Sequence, residues 1–301
     1  MISVEVIGGL GNQMFQYAAA LALARRCGTG LKVDARAFRT YRRRPYQLDK
    51  LSIPAEYLPA DGVTPLIPAR RSNGLDLIER ILRRLKRPIK SAGRGVYREP
   101  HFHFDPAFFD LKPPIALLGH FQSERYFTSV ADALRGHFRP ALPFGSQAVR
   151  VAAMIDRAPA SVSVHVRRGD YISDPTTARF HGALGRDYYR RALEVMTALH
   201  GVDLAVFLFS DEPAAAAEML DLPTAGQLVV VDGTSERPWD DMALMARCRH
   251  HVIANSSFSW WGAWLDPKPD KTVIAPRAWF APDELRSKNT CDLYPAQWIL
   301  V

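Results

Sequence analysis

The 301-residue chain holds only three cysteines, Cys27, Cys248 and Cys291, odd in number and far apart. No C-x-x-C pair or His/Cys cluster accompanies them, so neither a structural zinc site nor a dithiol redox centre is expected. Reduced thiols in a cytosolic protein are the plain reading. No run approaches the roughly 18 apolar residues that a membrane-spanning helix needs. The opening Met1 to Ile7 lacks a basic leader region and carries Glu5 inside its apolar run, so it reads as a first strand and not as a signal peptide. Asp-x-Asp is absent, and so is G-x-x-x-x-G-K-[ST]. A metal-bridged diphosphate site is therefore not expected, which leaves arginines and helix N-termini to neutralise any phosphate. Internal repeats and low-complexity segments are missing as well.

What is present is a globular composition, 48% hydrophobic and 23% charged, which excludes a disordered chain. The formal charge of +8 suits an anionic partner, whether nucleic acid, acidic membrane or phosphorylated small molecule, without choosing among them. Much of that excess is local, in Arg42, Arg43 and Arg44 and in the run from Arg80 to Lys90. The chain opens as strand, glycine turn, helix and strand, over Ser3 to Ile7, Gly8 to Gly11, Asn12 to Arg26 and Leu31 to Asp34. Arg39 to Pro114 is irregular; a strand at Ile115 to Gly119 and a helix at Ser123 to Arg135 follow. Arg139 to Gly145 reads as a linker. Beyond it, strands at 162–166, 204–209, 228–231, 251–254 and 272–275 alternate with helices at 187–199, 213–220, 239–248 and 257–265. Such alternation predicts parallel, doubly wound sheets. Two in tandem predict an α/β protein of two Rossmann-like lobes facing a cleft, divided as 1–145 and 146–301. Ligands of open parallel sheets sit beyond the carboxyl ends of the strands, so the residues just after each strand matter most.

Three such segments carry chemistry. Gly8-Gly9-Leu10-Gly11-Asn12-Gln13 is a glycine turn that lets backbone N–H groups approach a polar or anionic ligand. Asp34 ends the next strand, where a dinucleotide fold keeps its ribose-binding acid, but Met14 stands where the third fingerprint glycine would be. A tight packing turn would explain the glycines without explaining Asn12 and Gln13. The second segment is His165-Val166-Arg167-Arg168-Gly169-Asp170-Tyr171. Two arginines leaving a buried strand need an anion or a carboxylate to meet them, and a guanidinium matches a pyrophosphate bidentately. One can face the ligand while the other is held by Asp170 or another acid; the plainer alternative is a structural ion-pair cluster. The third is Asn255-Ser256-Ser257, whose hydroxyls and N–H groups at a helix start form an anion cradle, although ordinary capping needs only one serine. Asp240 and Asp241 open the preceding helix, where a carboxylate either complements the helix dipole or accepts from a guanine edge. Trp260 and Trp264 share a helical face and are expected in the core.

Taken with Gly119 to Phe127, Asp187-Tyr188-Tyr189, Ser210-Asp211-Glu212-Pro213 and the run on to Leu265, these segments resemble the α-1,2-fucosyltransferase family of bacteria and animals, in order over nearly the whole chain. The resemblance implies a B-type glycosyltransferase fold, GDP-β-L-fucose as donor, no metal or other cofactor, inversion at the anomeric carbon, and the 2-hydroxyl of a galactoside glycan as acceptor. It implies that Arg167 holds the β-phosphate, with Arg168 beside it. His165 and Asp241 would bound the guanosine, Ser256 and Ser257 would hold phosphate oxygens, and Asn12 would lie near the reacting centre from the opposite lobe, with Asn255, Gly9, Gly11 and Gln13 on the substrate. No acid after Asp170 clearly matches the general base of the α-1,6 relatives, so proton removal falls to Asp170, His181 or the leaving phosphate.

Rival readings are a nucleotide-binding oxidoreductase, resting on the first glycine turn and Asp34, and a non-catalytic GDP-sugar-binding module. A nucleic-acid partner would explain the charge but not serine and arginine clusters at successive strand ends. Leu75, Ile78, Leu82 and Leu85, flanked by basic residues, could lie on an anionic inner membrane. A surface helix packed on the first domain is the favoured reading of that stripe. The acceptor glycan and the oligomeric state have no readable code.

Overall fold

In the computed structural model, residues 1–41, 43–59, 95–220, 227–232 and 236–301 are described. They form two compact units, Met1–Leu48 with Ile53–Leu134, and Asp49–Ser52 with Arg135–Val301.

The first unit is built on four parallel strands, β1 (Ile2–Glu5), β2 (Leu31–Asp34), β3 (Val96–Arg98) and β4 (Ile115–Leu118), in the order β2-β1-β4-β3. Ile2 lies opposite both Leu31 and Ile115, so β1 is flanked on both sides. Helix α1 (Leu10–Arg26) is buried from Gln13 through Ala24 on every face, which is why its sequence is alanine-rich and shows no polar stripe. Arg25 and Arg26 occupy its last turn, where cations complement the helix dipole. Two readings fail in this unit. Strand β3, three residues long inside the irregular stretch, is too short to show alternation. The helix expected over Ser123 to Arg135 is two 3-10 turns, Glu124–Tyr126 and Thr128–Val130, and then α2 (Ala131–His137). Phe127 breaks it: its backbone is at φ −142°, and its buried ring packs 5.9 Å from that of Phe15.

The second unit opens with α3 (Ser146–Arg157) and β5 (Ser161–Val166). Two short helices follow, α4 (Gly169–Ser173) and α5 (Pro175–His181), and then α6 (Arg186–His200), β6 (Ala205–Ser210) and α7 (Pro213–Ala217). Strand β7 (Gln227–Val231), α8 (Pro238–Arg247), β8 (His250–Val252), α9 (Ser257–Leu265), β9 (Val273–Ala275), α10 (Pro282–Leu285) and β10 (Ile299–Leu300) complete it. The six strands are parallel in the order β10-β9-β8-β5-β6-β7. Alternation along β6 divides the core: Val206 and Leu208 pack with Tyr189, Leu193 and Met196 of α6, while Ala205, Phe207 and Phe209 pack with Val151 and Ile155 of α3 and Leu244 of α8. Trp260 and Trp264 are buried, as their helical spacing predicts, and Trp261 is buried as well.

Each sheet has a crossover between non-consecutive neighbours, β1 beside β4 in the first and β5 beside β8 in the second, where the strand order also reverses. Such switch points leave a crevice outside the carboxyl ends of the strands. Among the described residues no helix is long and apolar enough to cross a membrane. The Leu75 to Arg87 stripe lies outside the described residues.

Candidate active site

All three segments singled out in the sequence fall at these switch points. In the first unit the chain leaves β1 through Gly8, at φ +89°, and enters α1 at Gly9. A side chain at Gly8 would be strained, and its Cβ would sit 2.8 Å from Asn12 Nδ2. Gly9 has open space at that position, so the special backbone belongs to Gly8; Gly11 is buried within the helix. Asn12 is half-buried, and its Oδ1 accepts from Gln122 Nε2 at 2.8 Å, across to the turn after β4. Gln13, expected on the substrate, is instead fully buried. Its amide donates to Gly8 and Pro45 carbonyls at 2.8 and 2.9 Å and accepts from Gln47 N–H, which satisfies its donors and makes it a clamp on 45–47. Asp34 is bound by Arg36, Nε to Oδ1 at 2.8 Å, and is not presented to a ribose.

In the second unit β5 is buried on both faces and ends at His165 and Val166. The His165 side chain is held neutral: burial depresses its pKa first, with the positive Arg167 adding to it and Asp211 opposing. Its buried Nδ1 has no hydrogen-bond partner, and its ring lies 5.7 Å from that of Phe258. Arg167 emerges next, 18% exposed, paired with Asp170 and, at 2.7 Å, with Asp211. Its guanidinium also sits 5.5 Å from the Tyr171 ring centroid. Arg168 donates its backbone N–H to Asp211 at 2.9 Å and its Nε to Glu212 at 2.9 Å. The sequence had one arginine held by acid and the other for the ligand; both are held. Acids on α4 and at the end of β6 therefore fix both forks. Two ion-paired N–H groups leave Arg167 three further donors out of the five a guanidinium carries. The Asp211 and Glu212 contacts were legible only as part of a motif, because β6 reaches β5 through space and not along the chain.

Strand β8 continues into Asn255, whose Nδ2 donates to the carbonyls of His181, Gly182 and Trp279, at 3.1, 2.9 and 3.3 Å. That ties down the segment after α5, while its buried Oδ1 has no partner. Ser256 caps α9 by accepting from Phe258 N–H at 3.3 Å. Ser259 accepts from Ala254 N–H, and half-buried Ser257 is the first residue of the helix. Asp240 is buried and paired with Arg237 at 2.7 Å, whereas Asp241 is half-buried in the first turn of α8. Helices following parallel strands start at the sheet's carboxyl edge, so α8 and α9 bring Asp241 and Ser257 to the edge where Arg167 emerges. A cavity of about 340 Å³ lined by Met154, Asp203, Phe207 and Val229 reaches the start of β6, the opposite edge, and holds none of the candidate residues.

Two α/β units with parallel sheets, each with polar or charged side chains past its carboxyl ends, make up the Rossmann-like architecture of B-type glycosyltransferase folds. The model of "Glycosyl transferase family 11" matches residues 108–301. An Alpha-1,2-colitosyltransferase of Escherichia coli is 30% identical over 100% of this chain and 99% of its own length. The O-antigen biosynthesis glycosyltransferase WbnK of Escherichia coli is 31% identical over 95% of this chain and 96% of its own. A Galactoside alpha-(1,2)-fucosyltransferase 1 of Alouatta caraya is 27% identical over 86% of this chain and 63% of its own. Among solved structures, an Arabidopsis thaliana FUT1 mutant in complex with GDP superposes with a TM-score of 0.55 at 14% identity, covering 98% of this chain and 74% of that one. The chain belongs to glycosyl transferase family 11 and is an enzyme of that family.

Proposed function

We propose that the protein moves L-fucose from GDP-β-L-fucose to the 2-hydroxyl of a galactoside within a glycan, with inversion and without a metal. The observation that carries this reading is Arg167, a largely buried guanidinium with spare donors at the end of an interior strand of the second sheet. Departure of GDP builds negative charge on the β-phosphate, and a donor aimed there binds the transition state better than the ground state. Asp170 and Asp211 orient the fork. Arg168, held by Glu212, supports it from the next position. Ser256, Ser257 and the start of α9 offer hydroxyl and N–H donors to the phosphates. His165 and Asp241 bound the guanosine, the carboxylate accepting from the guanine N1 and N2 groups. Asn255 contributes mainly by holding the 181–182 segment. Because Asp170 is engaged by Arg167, its proposed share in catalysis is electrostatic; the acceptor hydroxyl attacks the anomeric carbon on the face opposite GDP, the bond to GDP breaks, and the acceptor proton passes to solvent. In the first unit, Asn12 with the glycine turn of Gly9 and Gly11 is assigned to the acceptor.

The absence of Asp-x-Asp supports metal independence. Relatives named for colitosyl and for fucosyl transfer leave the donor sugar to experiment. GDP release from GDP-fucose is measured against a panel of galactose-terminated oligosaccharides in EDTA, beside the corresponding colitosyl donor. Release that depends on a galactoside and survives EDTA is expected; release only with added magnesium, or only with the colitosyl donor, overturns the corresponding part of the reading.

A further inference from the structure

The first unit contains a carboxylate that the reaction scheme above does not use. Glu99 immediately follows β3 and is half-buried. It accepts from two successive backbone N–H groups in the turn after β4, His120 at 2.7 Å and Phe121 at 3.1 Å. Phe121 is at φ +52°, an uncommon conformation for a residue with a Cβ, and its ring is fully buried 5.6 Å from that of Phe108. Gly119 must lack a side chain for Glu99 to reach this turn, since a Cβ there would lie 2.5 Å from Glu99 Cβ. The turn delivers Gln122 to Asn12, and Gln16 stitches the same two loops, accepting from Ile7 N–H at 3.0 Å and donating to Gly119 O at 3.1 Å.

We propose that Glu99 is a positioning residue: by binding the His120 and Phe121 amides it holds a strained turn in the form that aims Gln122 at Asn12. This rests on the reading that Asn12 serves the acceptor. The carboxylate works against its surroundings. Burial pushes Glu99 up to about 7, over the opposing effect of the two amides and a hydrogen bond with Tyr126, while Asp105 adds to the rise. The groups facing it are the Tyr126 phenol, which accepts from Asp105 N–H at 2.9 Å, Asp105 itself, bound by the Tyr97 phenol at 2.7 Å, and exposed His120. Near neutrality, therefore, protonation removes the charge that grips the turn.

Two readouts test this. In wild type, the ¹⁵N shifts of the His120 and Phe121 amides should titrate together near pH 7, and in Glu99→Gln they should be flat across that range. His120 and Phe121 amide shifts that are the same in wild type and Glu99→Gln overturn the proposal, whatever the enzyme transfers. In transfer assays Glu99→Gln should raise acceptor KM about tenfold or more, with donor KM little changed, and abolish the rise in acceptor KM as pH falls through 7. An unaltered acceptor KM and pH profile in the variant overturns it too. If the amides titrate but no galactoside accepts fucose, the functional reading falls and the clamp stands.

Discussion

Around the switch point of the second sheet, two arginines and three carboxylates are knit together, Arg167 and Arg168 with Asp170, Asp211 and Glu212. Around that of the first, the side chains that bridge the loops are neutral amides, Asn12, Gln16 and Gln122, with the Glu99 carboxylate behind them. A largely buried guanidinium is costly unless paired, so the acids hold it in a charged, oriented fork before any anion arrives. Amides accept and donate without that cost, which suits the recognition of hydroxyl groups. Under the proposed function, the contrast assigns charge handling to the second unit and hydroxyl handling to the first.

The largest effect should come from Arg167→Lys, which replaces a planar fork by a point charge. Losing one such donor typically raises a barrier by about 2.7–4 kcal/mol, so turnover should nearly vanish while thermal unfolding changes little. Near-wild-type turnover would erase the distinction between the units. Asp211→Asn should follow, because it removes a charged acceptor shared by the Arg168 N–H and the Arg167 guanidinium. A loss of about 1–3 kcal/mol in kcat/KM is expected, and a kinetically silent variant would mean that the acid does not orient the fork. Asp241→Ala should weaken GDP-fucose binding with acceptor KM unaffected, which calorimetry with GDP reads directly.

Acid should sharpen the comparison, since buried groups in the two units respond with opposite sign. His165, His250 and His251 are all depressed by burial, His250 to about 4. The unfolded chain then binds protons that these folded imidazoles refuse, so their contribution is intact above pH 6.5 and is lost as pH falls from there toward 4. Glu99, raised to about 7, binds its proton more tightly folded than unfolded, so its protonation stabilises the first unit as pH falls through the same window. Denaturant melts of wild type and Glu99→Gln from pH 7.5 to 4.5 measure this: the variant should lose stability more steeply on acidification, and parallel curves would contradict the assignment. The smallest effect belongs to Arg249 and Asp270, an exposed pair 2.7 Å apart; Asp270→Ala should shift stability by less than about 1 kcal/mol.

Much of the second unit was legible because its strands and helices alternate with lengths that periodicity can register. The position of Arg167, Asn255 and Ser256 past strand ends followed from that alone. Contacts between strands distant in sequence were not legible, and the pairing of Asp211 with Arg167 is one. The first unit was harder. Helix α1 gives no amphipathic signal because it is buried all round, and β3 is three residues long. Gln13 looked like a ligand-facing amide because the sequence does not say that the 45–47 backbone comes to meet it. Glu99 stood unnoticed in the irregular stretch for the same reason: its partners are backbone amides twenty-one and twenty-two residues further on.

A crystal structure of the protein with GDP, grown without divalent cations, bears most directly on the central claim. The β-phosphate should lie within hydrogen-bond reach of the Arg167 guanidinium, with Ser257 or the first N–H groups of α9 on the remaining oxygens. A diphosphate lodged away from Arg167, or one that binds only when magnesium bridges it, would contradict the account.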